Sequence, residues 1–170
     1  MRITSGIYKN REIKSPNLST THPMGERERL ALFNSIGNDL TDLTVLDAYA
    51  GSGSLGLEAL SRGAASVTFV EKSGAATRCI AANLKTLKVT NAKIIHTSVH
   101  RLNLEVKYDL ILADPPYDRF AIEDIMVLVP LLSPTGLLVL SHPGEPPVLP
   151  GLVLRSTRHY AAAHISIYHQ

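Results

Sequence analysis

The chain has 170 residues, 45% hydrophobic and 19% charged, with a formal net charge of +2, one cysteine and no tryptophan. That length fits one domain with a real core and is short for two, and no apolar run approaches the ~20 residues of a membrane span. A near-neutral balance leaves no whole-molecule field for nucleic acid, so any basic surface must be local.

The opening Met1-Arg2-Ile3-Thr4-Ser5-Gly6 has no apolar signal core, which points to the cytoplasm. Arg2 to Lys14 carries Arg2, Lys9, Arg11 and Lys14 against the single acid Glu12, and spaces Ile3, Ile7, Tyr8 and Ile13 as a small hairpin turned at Gly6 or Lys9-Asn10. It reads as a basic flap, or as a solvated hairpin with no ligand. Ser15 to Gly25, with Pro16 and Pro23 among Ser and Thr, reads as a loop. Glu26 to Ile36 sets Leu30, Leu32, Phe33 and Ile36 at helical spacing and closes at Gly37-Asn38. Arg27 and Arg29 have Glu26 and Glu28 beside them, so surface ion pairing accounts for both.

Val45 to Gly56 breaks from an apolar run into Gly51-Ser52-Gly53 and then a helical pattern: strand, tight loop, helix. Gly51 and Gly53 let a ligand lie against the backbone, and the helix that follows opens with unpaired N–H groups. The G-x-G-x-x-G spelling with Gly56 is a weak signal alone, since glycine is common at any sharp strand-to-helix turn. Asp47, four residues before Gly51, says more, because its charge would repel a pyrophosphate. The helix Leu55 to Arg62 ends at Gly63, and Ser66 to Glu71 is the next strand, completing a βαβ unit. A carboxylate ending the second strand can accept both hydroxyls of a ribose.

Ser73 to Leu87 is an amphipathic helix capped by Ser73, in which Cys79 reads as a small buried hydrophobe. A lone cysteine excludes an internal disulfide. The seven histidines (His22, His96, His100, His142, His159, His164 and His169) are scattered without partners at ligand spacing, and no metal is expected. Ala92 to His96 is the third strand, followed by Thr97-Ser98-Val99. The fourth, Tyr108 to Ala113, runs into Asp114-Pro115-Pro116-Tyr117. Two prolines fix φ twice, remove two donors and hold the Asp114 carboxylate rigidly beside an aromatic face, which suits a planar base bearing an amine. The face does the stacking, so phenylalanine could fill the role of Tyr117. Arg119 to Leu132 reads as a helix, Gly136 to Ser141 as a fifth strand, Glu145 to Pro150 as a loop, and Val153 to Arg158 with His164 to Tyr168 as an antiparallel pair.

Asp47-x-x-x-Gly51-x-Gly53 resembles the first motif of S-adenosyl-L-methionine (SAM) methyltransferases, and the sequence from Asp47 to Ala64, with Met1-Arg2-Ile3 and Thr21 to Asn34, resembles the RsmD family, bacterial methyltransferases of guanine N2 in small-subunit (16S) ribosomal RNA. The Thr21-to-Asn34 segment keeps Thr21, Pro23, Arg27, Arg29, Phe33 and Asn34 of the family pattern and departs from it at His22, Met24 and Leu30; Ser98 stands where an Asp is usual. The resemblance implies an α/β Rossmann-like class I methyltransferase fold: a mostly parallel seven-stranded sheet with an antiparallel terminal strand, plus a small N-terminal β-hairpin. It implies one domain, 1–170, with the hairpin and loop in 1–25 and the SAM-binding catalytic core in 26–170. SAM would be held by Asp47, Ala48, Tyr49, Ala50, Gly51, Gly53, Glu71, Lys72, Ser98 and Val99, with catalysis at Asp114, Pro115, Pro116 and Tyr117 and RNA contacts from Lys9, Arg11 and Arg27. The expected partner is ribosomal RNA, free or in an assembling small subunit, met by a monomer. Two alternatives stay open: a methyltransferase of adenine N6 or another amine, and a nucleotide-binding module without catalysis.

Overall fold

The computed structural model describes residues 1–16, 24–160 and 163–170; Thr21, His22 and Pro23 lie outside the described residues. In chain order the elements are α1 (Glu26–Ile36), β1 (Thr44–Asp47), α2 (Ser54–Ser61), β2 (Ser66–Glu71), α3 (Gly74–Leu87), β3 (Ala92–His96), β4 (Tyr108–Ala113), α4 (Ile122–Leu128), β5 (Leu132–His142), β6 (Val153–Tyr160) and β7 (Ala163–His169). The seven strands make one sheet in the order β3-β2-β1-β4-β5-β7-β6. The pairs from β3 to β5 are parallel, and β7 alone is reversed against both neighbours. This is the expected fold. The central strands β1 and β4 are buried on both faces, so their apolar residues run nearly without alternation. Val45, Leu110 and Leu112 pack with the hairpin and helices α1 to α3, while Leu46 and Ile111 pack with Ile125 and Leu128 of α4. From β1 the chain moves outward to β2 and β3 and returns on the other side as β4, which leaves a crevice where β1 and β4 end.

Ser73 caps α3 by accepting from Ala76 N at 3.4 Å. Helix α2 ends at Gly63, φ 101°, with Ala64 N donating to Ala59 O and Gly63 N to Leu60 O, both at 3.1 Å. The segment read as one helix from Arg119 to Leu132 is instead a 3-10 turn at Tyr117–Arg119, α4, and a second 3-10 turn at Val129–Leu131. Pro130 has no N–H for the Met126 carbonyl, so α geometry stops at Leu128 and Leu132 already belongs to β5.

The N-terminal hairpin is present: Ile3 N donates to Arg11 O, Asn10 N to Ile3 O and Ile13 N to Met1 O, and Gly6 and Asn10 both have positive φ. It is bolted to α2. A Cβ on Gly6 would stand 1.7 Å from Ser61 O, and Ile7 N donates to that carbonyl at 2.8 Å. Glu58 of α2, fully buried, accepts from Thr4 N, Thr4 Oγ1, Ser5 N, Arg29 Nε and Arg62 Nε and Nη2 at 2.6–3.2 Å. Arg29 is therefore not a surface residue paired with Glu26 or Glu28. It stands three and four positions before Leu32 and Phe33, on the stripe that faces the core, whereas Leu30 is 41% exposed. Arg27 is exposed, with no ion pair among the described residues. Cys79 is half-buried, its Sγ donating to Lys14 O at 3.2 Å, because it flanks the hairpin's exit and not the sheet. Three histidines on three strands are neighbours in space: strand register sets His164 beside His142 and His159, with ring centroids 5.9 and 4.5 Å apart.

Candidate active site

The loop leaving β1 turns on Gly51 and Gly53, whose φ values of 54° and 79° are strained for any residue with a side chain. Nothing lies closer than 4.0 Å to where a Cβ on Gly51 would stand, so the backbone is open there to a ligand. Gly56 serves packing instead: its Cβ would sit 2.3 Å from Phe69 Cε1 of β2. Glu71 closes the loop from the next strand, accepting from Gly51 N at 2.8 Å and Ser73 N at 2.7 Å. Each carboxylate oxygen has two lone pairs, so Glu71 keeps capacity for a further donor on each.

These elements form one wall of a cavity of about 890 Å³, within the range of small-molecule sites. It is lined by Ala48, Tyr49, Ala50, Gly51, Glu71, Lys72, Ser98 and Val99 on the loop side and by Asp114, Pro115, Pro116 and Tyr117 at the end of β4. Two separated sequence motifs thus meet across a single space. Gly53 does not line it, being turned under the loop, and neither do Lys9, Arg11 or Arg27. Asp47 does not line it either; its carboxylate lies beneath the loop, 1% exposed, and accepts from Gly56 N at 2.8 Å. Burial raises Asp47 to about 7 against the Gly56 hydrogen bond, and the charges of Asp114 and Glu71 push the same way.

Burial likewise raises Asp114 to about 6, with the nearby Ser141 hydroxyl pulling the other way. The Tyr117 phenol is raised by burial, and its hydroxyl lies 2.5 Å from Ser141 Oγ. Phenylalanine would therefore not replace Tyr117 in full, since the hydroxyl anchors the ring. Tyr49 is pushed up by burial and by the Asp124 carboxylate. The lining carries Glu28, Glu71, Asp114, Asp118 and Asp124 against Lys72 and Arg119, which favours a ligand with positive charge and disfavours a pyrophosphate. Among the described residues no group of three or more His, Cys, Asp and Glu is placed to hold a metal ion, and no helix is long and apolar enough to cross a membrane.

Residues that sequence reasoning missed are Glu28, Asp124, Ser141 and Tyr160, with Ser15 and Pro16 where the hairpin's exit reaches the rim. Ser141 had a signal: it is a polar residue near the end of a buried strand, as are Asp47 and Glu71 at the ends of β1 and β2 and Asp114 just past β4.

The family model described as "Conserved hypothetical protein 95" matches residues 1–169. The chain is 34% identical over 131 residues to a protein of Escherichia coli (strain K12) named ribosomal RNA small subunit methyltransferase D, a match covering 76% of this chain and 66% of that one, so it spans just under two thirds of that relative's length. It is 31% identical over 180 residues to YlbH of Bacillus subtilis (strain 168), provisionally named an rRNA methyltransferase, covering 99% and 98%. Among solved structures, yhhF from Escherichia coli, provisionally titled a methyltransferase, superposes with a TM-score of 0.90 at 30% identity, covering 99% of this chain and 96% of that one.

Proposed function

The chain belongs to the Conserved hypothetical protein 95 family, that of RsmD, and on that premise we propose that it transfers a methyl group from SAM to the exocyclic N2 amine of a guanine in small-subunit ribosomal RNA. The observation that carries the reading is the meeting, in one acid-lined cavity, of a glycine loop closed by Glu71 with the rigid Asp114-Pro115-Pro116-Tyr117 corner. The cavity's excess of carboxylates and the open backbone at Gly51 fit a nucleoside bearing a cationic sulfonium. Glu71 would take the ribose hydroxyls on its free lone pairs, Ser98 and Val99 would flank the adenine, and Ala48 to Gly51 would offer backbone groups to the methionine end. Asp47 acts from behind the loop: it fixes the turn through Gly56 and contributes negative charge without contact. When bound, SAM supplies an electrophilic methyl group on sulfur.

The remaining work falls to this chain's residues. An amine conjugated with a purine ring is a poor nucleophile. Asp114 accepts one of its N–H groups and a carbonyl of the proline corner the other, which favours a pyramidal nitrogen and meets the positive charge that grows on it. Tyr117 stacks the base, and the half-buried corner keeps these groups out of bulk water, where the interaction would weaken. Lys9, Arg11 and Arg27, all exposed, face the RNA, and Lys14-Ser15-Pro16 leads from the hairpin to the cavity rim.

The test is methyl transfer by the purified protein from SAM to small subunits and to free 16S rRNA lacking the modification, with the product digested to nucleosides. N2-methylguanosine is expected. N6-methyladenosine would move the reading to the adenine alternative, and SAM binding with no transfer to either substrate would leave the binding module.

A further inference from the structure

We propose that the groove between α1 and β6 takes the phosphate backbone of the RNA strand on one side of the target guanine, with Arg158 and Arg27 as its cations. The inference rests on the RNA methyltransferase reading of the catalytic cavity and adds a path for the strand. The lining of that cavity sets the problem. Its carboxylates, Glu28, Glu71, Asp114, Asp118 and Asp124 against Lys72 and Arg119, admit a base and repel the phosphates that carry it, so the strand must turn away to a surface free of acids.

A second cavity, of about 640 Å³, adjoins the first. It is lined by Ala31, Asn34 and Ser35 of α1 and by residues 157–160 of β6, and Tyr160 lines both cavities. Among the described residues its lining holds Arg158 and no carboxylate. Strand register aims Arg158. It stands opposite Ile165 of β7, which belongs to the same core as Leu32 and Phe33 of α1, so its side chain leaves β6 on the α1 face. Because β6 is the last strand of the sheet, Arg158 lies beyond the core and is exposed. On α1, Arg27, Ala31, Asn34 and Ser35 stand at i, i+4, i+7 and i+8, one stripe of the helix surface. Arg27 therefore continues the groove toward the catalytic cavity, whose lining includes its neighbour Glu28.

Both arginines are exposed, and neither has an ion pair among the described residues. A guanidinium presents a planar fork of donors that matches two oxygens of one phosphate, and the exposed Asn34 adds an amide donor beside it. The basic flap serves another side of the molecule: Arg11 Nη2 donates to Thr86 O of α3 at 3.4 Å, whereas the groove lies at the β6 edge. The strand is thus held both before and after the guanine that enters the cavity.

The experiment is steady-state methylation of unmodified 16S rRNA, free or in small subunits according to which the wild type methylates, at KCl from about 50 to 200 mM. SAM affinity and the denaturant midpoint are read alongside. Arg158→Glu should raise the KM for RNA severalfold and leave kcat and SAM affinity unchanged. Arg158→Ala should make the dependence of log KM on log salt shallower by about one, the mark of one lost phosphate contact, and the Arg27→Ala/Arg158→Ala pair by about two. Arg158→Lys, which keeps the charge, should keep the salt slope. Asn34→Glu removes no cation but puts a carboxylate in the groove, and should also raise KM. Lys93→Glu is the control for net charge: Lys93 is exposed on β3, at the opposite edge of the sheet, and its reversal should leave KM where it was. An Arg158→Glu KM equal to the wild type's, or raised no more than Lys93→Glu raises it, overturns the proposal. Should Arg158→Glu lower the denaturant midpoint, Asn34→Glu decides from the other wall: a raised KM upholds the groove and an unchanged one overturns it. Failure of the wild type to methylate either substrate would instead strike the methyltransferase reading.

Discussion

Glu58, fully buried in the middle of α2, and Asp114, half-buried just past the end of β4, are two acids treated in opposite ways. Glu58 is saturated: the hairpin backbone, a threonine hydroxyl and two arginines direct six hydrogen bonds at it, and Arg62 also lies over the Phe33 ring at 4.8 Å. Among the described residues no such set of donors meets Asp114, and Asp47 accepts from Gly56 N alone, so burial raises both well above the ordinary carboxylate range. A buried acid surrounded by donors has its charge answered internally and serves the fold. One left short of donors carries its charge only at a cost, and that cost of desolvation appears as a raised pKa.

The contrast can be broken most forcefully at Glu58. Glu58→Ala leaves Arg29 and Arg62 buried without their carboxylate and should destabilise the chain by about 3–5 kcal/mol, read as a lowered denaturant midpoint; an unchanged midpoint would mean the cluster is not structural. Glu71→Ala, at the cavity, should lower the midpoint less than Glu58→Ala does, as two backbone donors lose their partner, and weaken SAM binding by ~1–3 kcal/mol as two hydroxyls lose a charged acceptor, measurable by calorimetry. Asp47 sharpens the comparison through pH. Its folded pKa of about 7 exceeds the ordinary value of 3.8, so between these the folded state holds a proton that the unfolded chain has lost. Its contribution to stability is therefore full below pH 3.8 and disappears as pH rises through about 7. Thermal scans of Asp47→Asn should show that component of the pH dependence flattened; an identical profile would refute it. The smallest effect belongs to the flap. Reversing Lys9 and Arg11 to Glu should weaken RNA binding and make its salt dependence shallower while sparing SAM affinity, and equal RNA affinity before and after would remove these residues from the RNA surface.

Local signals carried most of the site and long-range ones did not. Gly51 and Glu71 lie within one βαβ unit, and Asp114 to Tyr117 are contiguous, so spacing alone made them legible. Arg29 was misread because its acidic neighbours in sequence are Glu26 and Glu28, while its partner Glu58 comes 29 residues later on another helix. Ser141 needed the β4–β5 register to reveal what it meets, and the His142–His164–His159 cluster needed the register of β5, β7 and β6. The helix after the Asp114–Tyr117 corner extends too far in the sequence reading because apolar residues continue past Pro130 into β5 without a change of composition, leaving only the missing N–H to mark the boundary.

The central claim, that the donor-poor acid at the end of β4 works in the transition state, is tested most directly by single-turnover methylation of 16S rRNA with Asp114→Ala and Asp114→Asn. Asp114→Ala should fold, bind SAM nearly as the wild type does and lose ~10²-fold or more in rate, the scale of a lost transition-state acceptor. Asp114→Asn keeps an acceptor oxygen and should retain more activity if hydrogen bonding dominates, or fall equally low if charge does. The wild type's rate should drop as pH falls through about 6, where Asp114 takes up its proton. Methylation by Asp114→Ala at the wild-type rate would contradict the account.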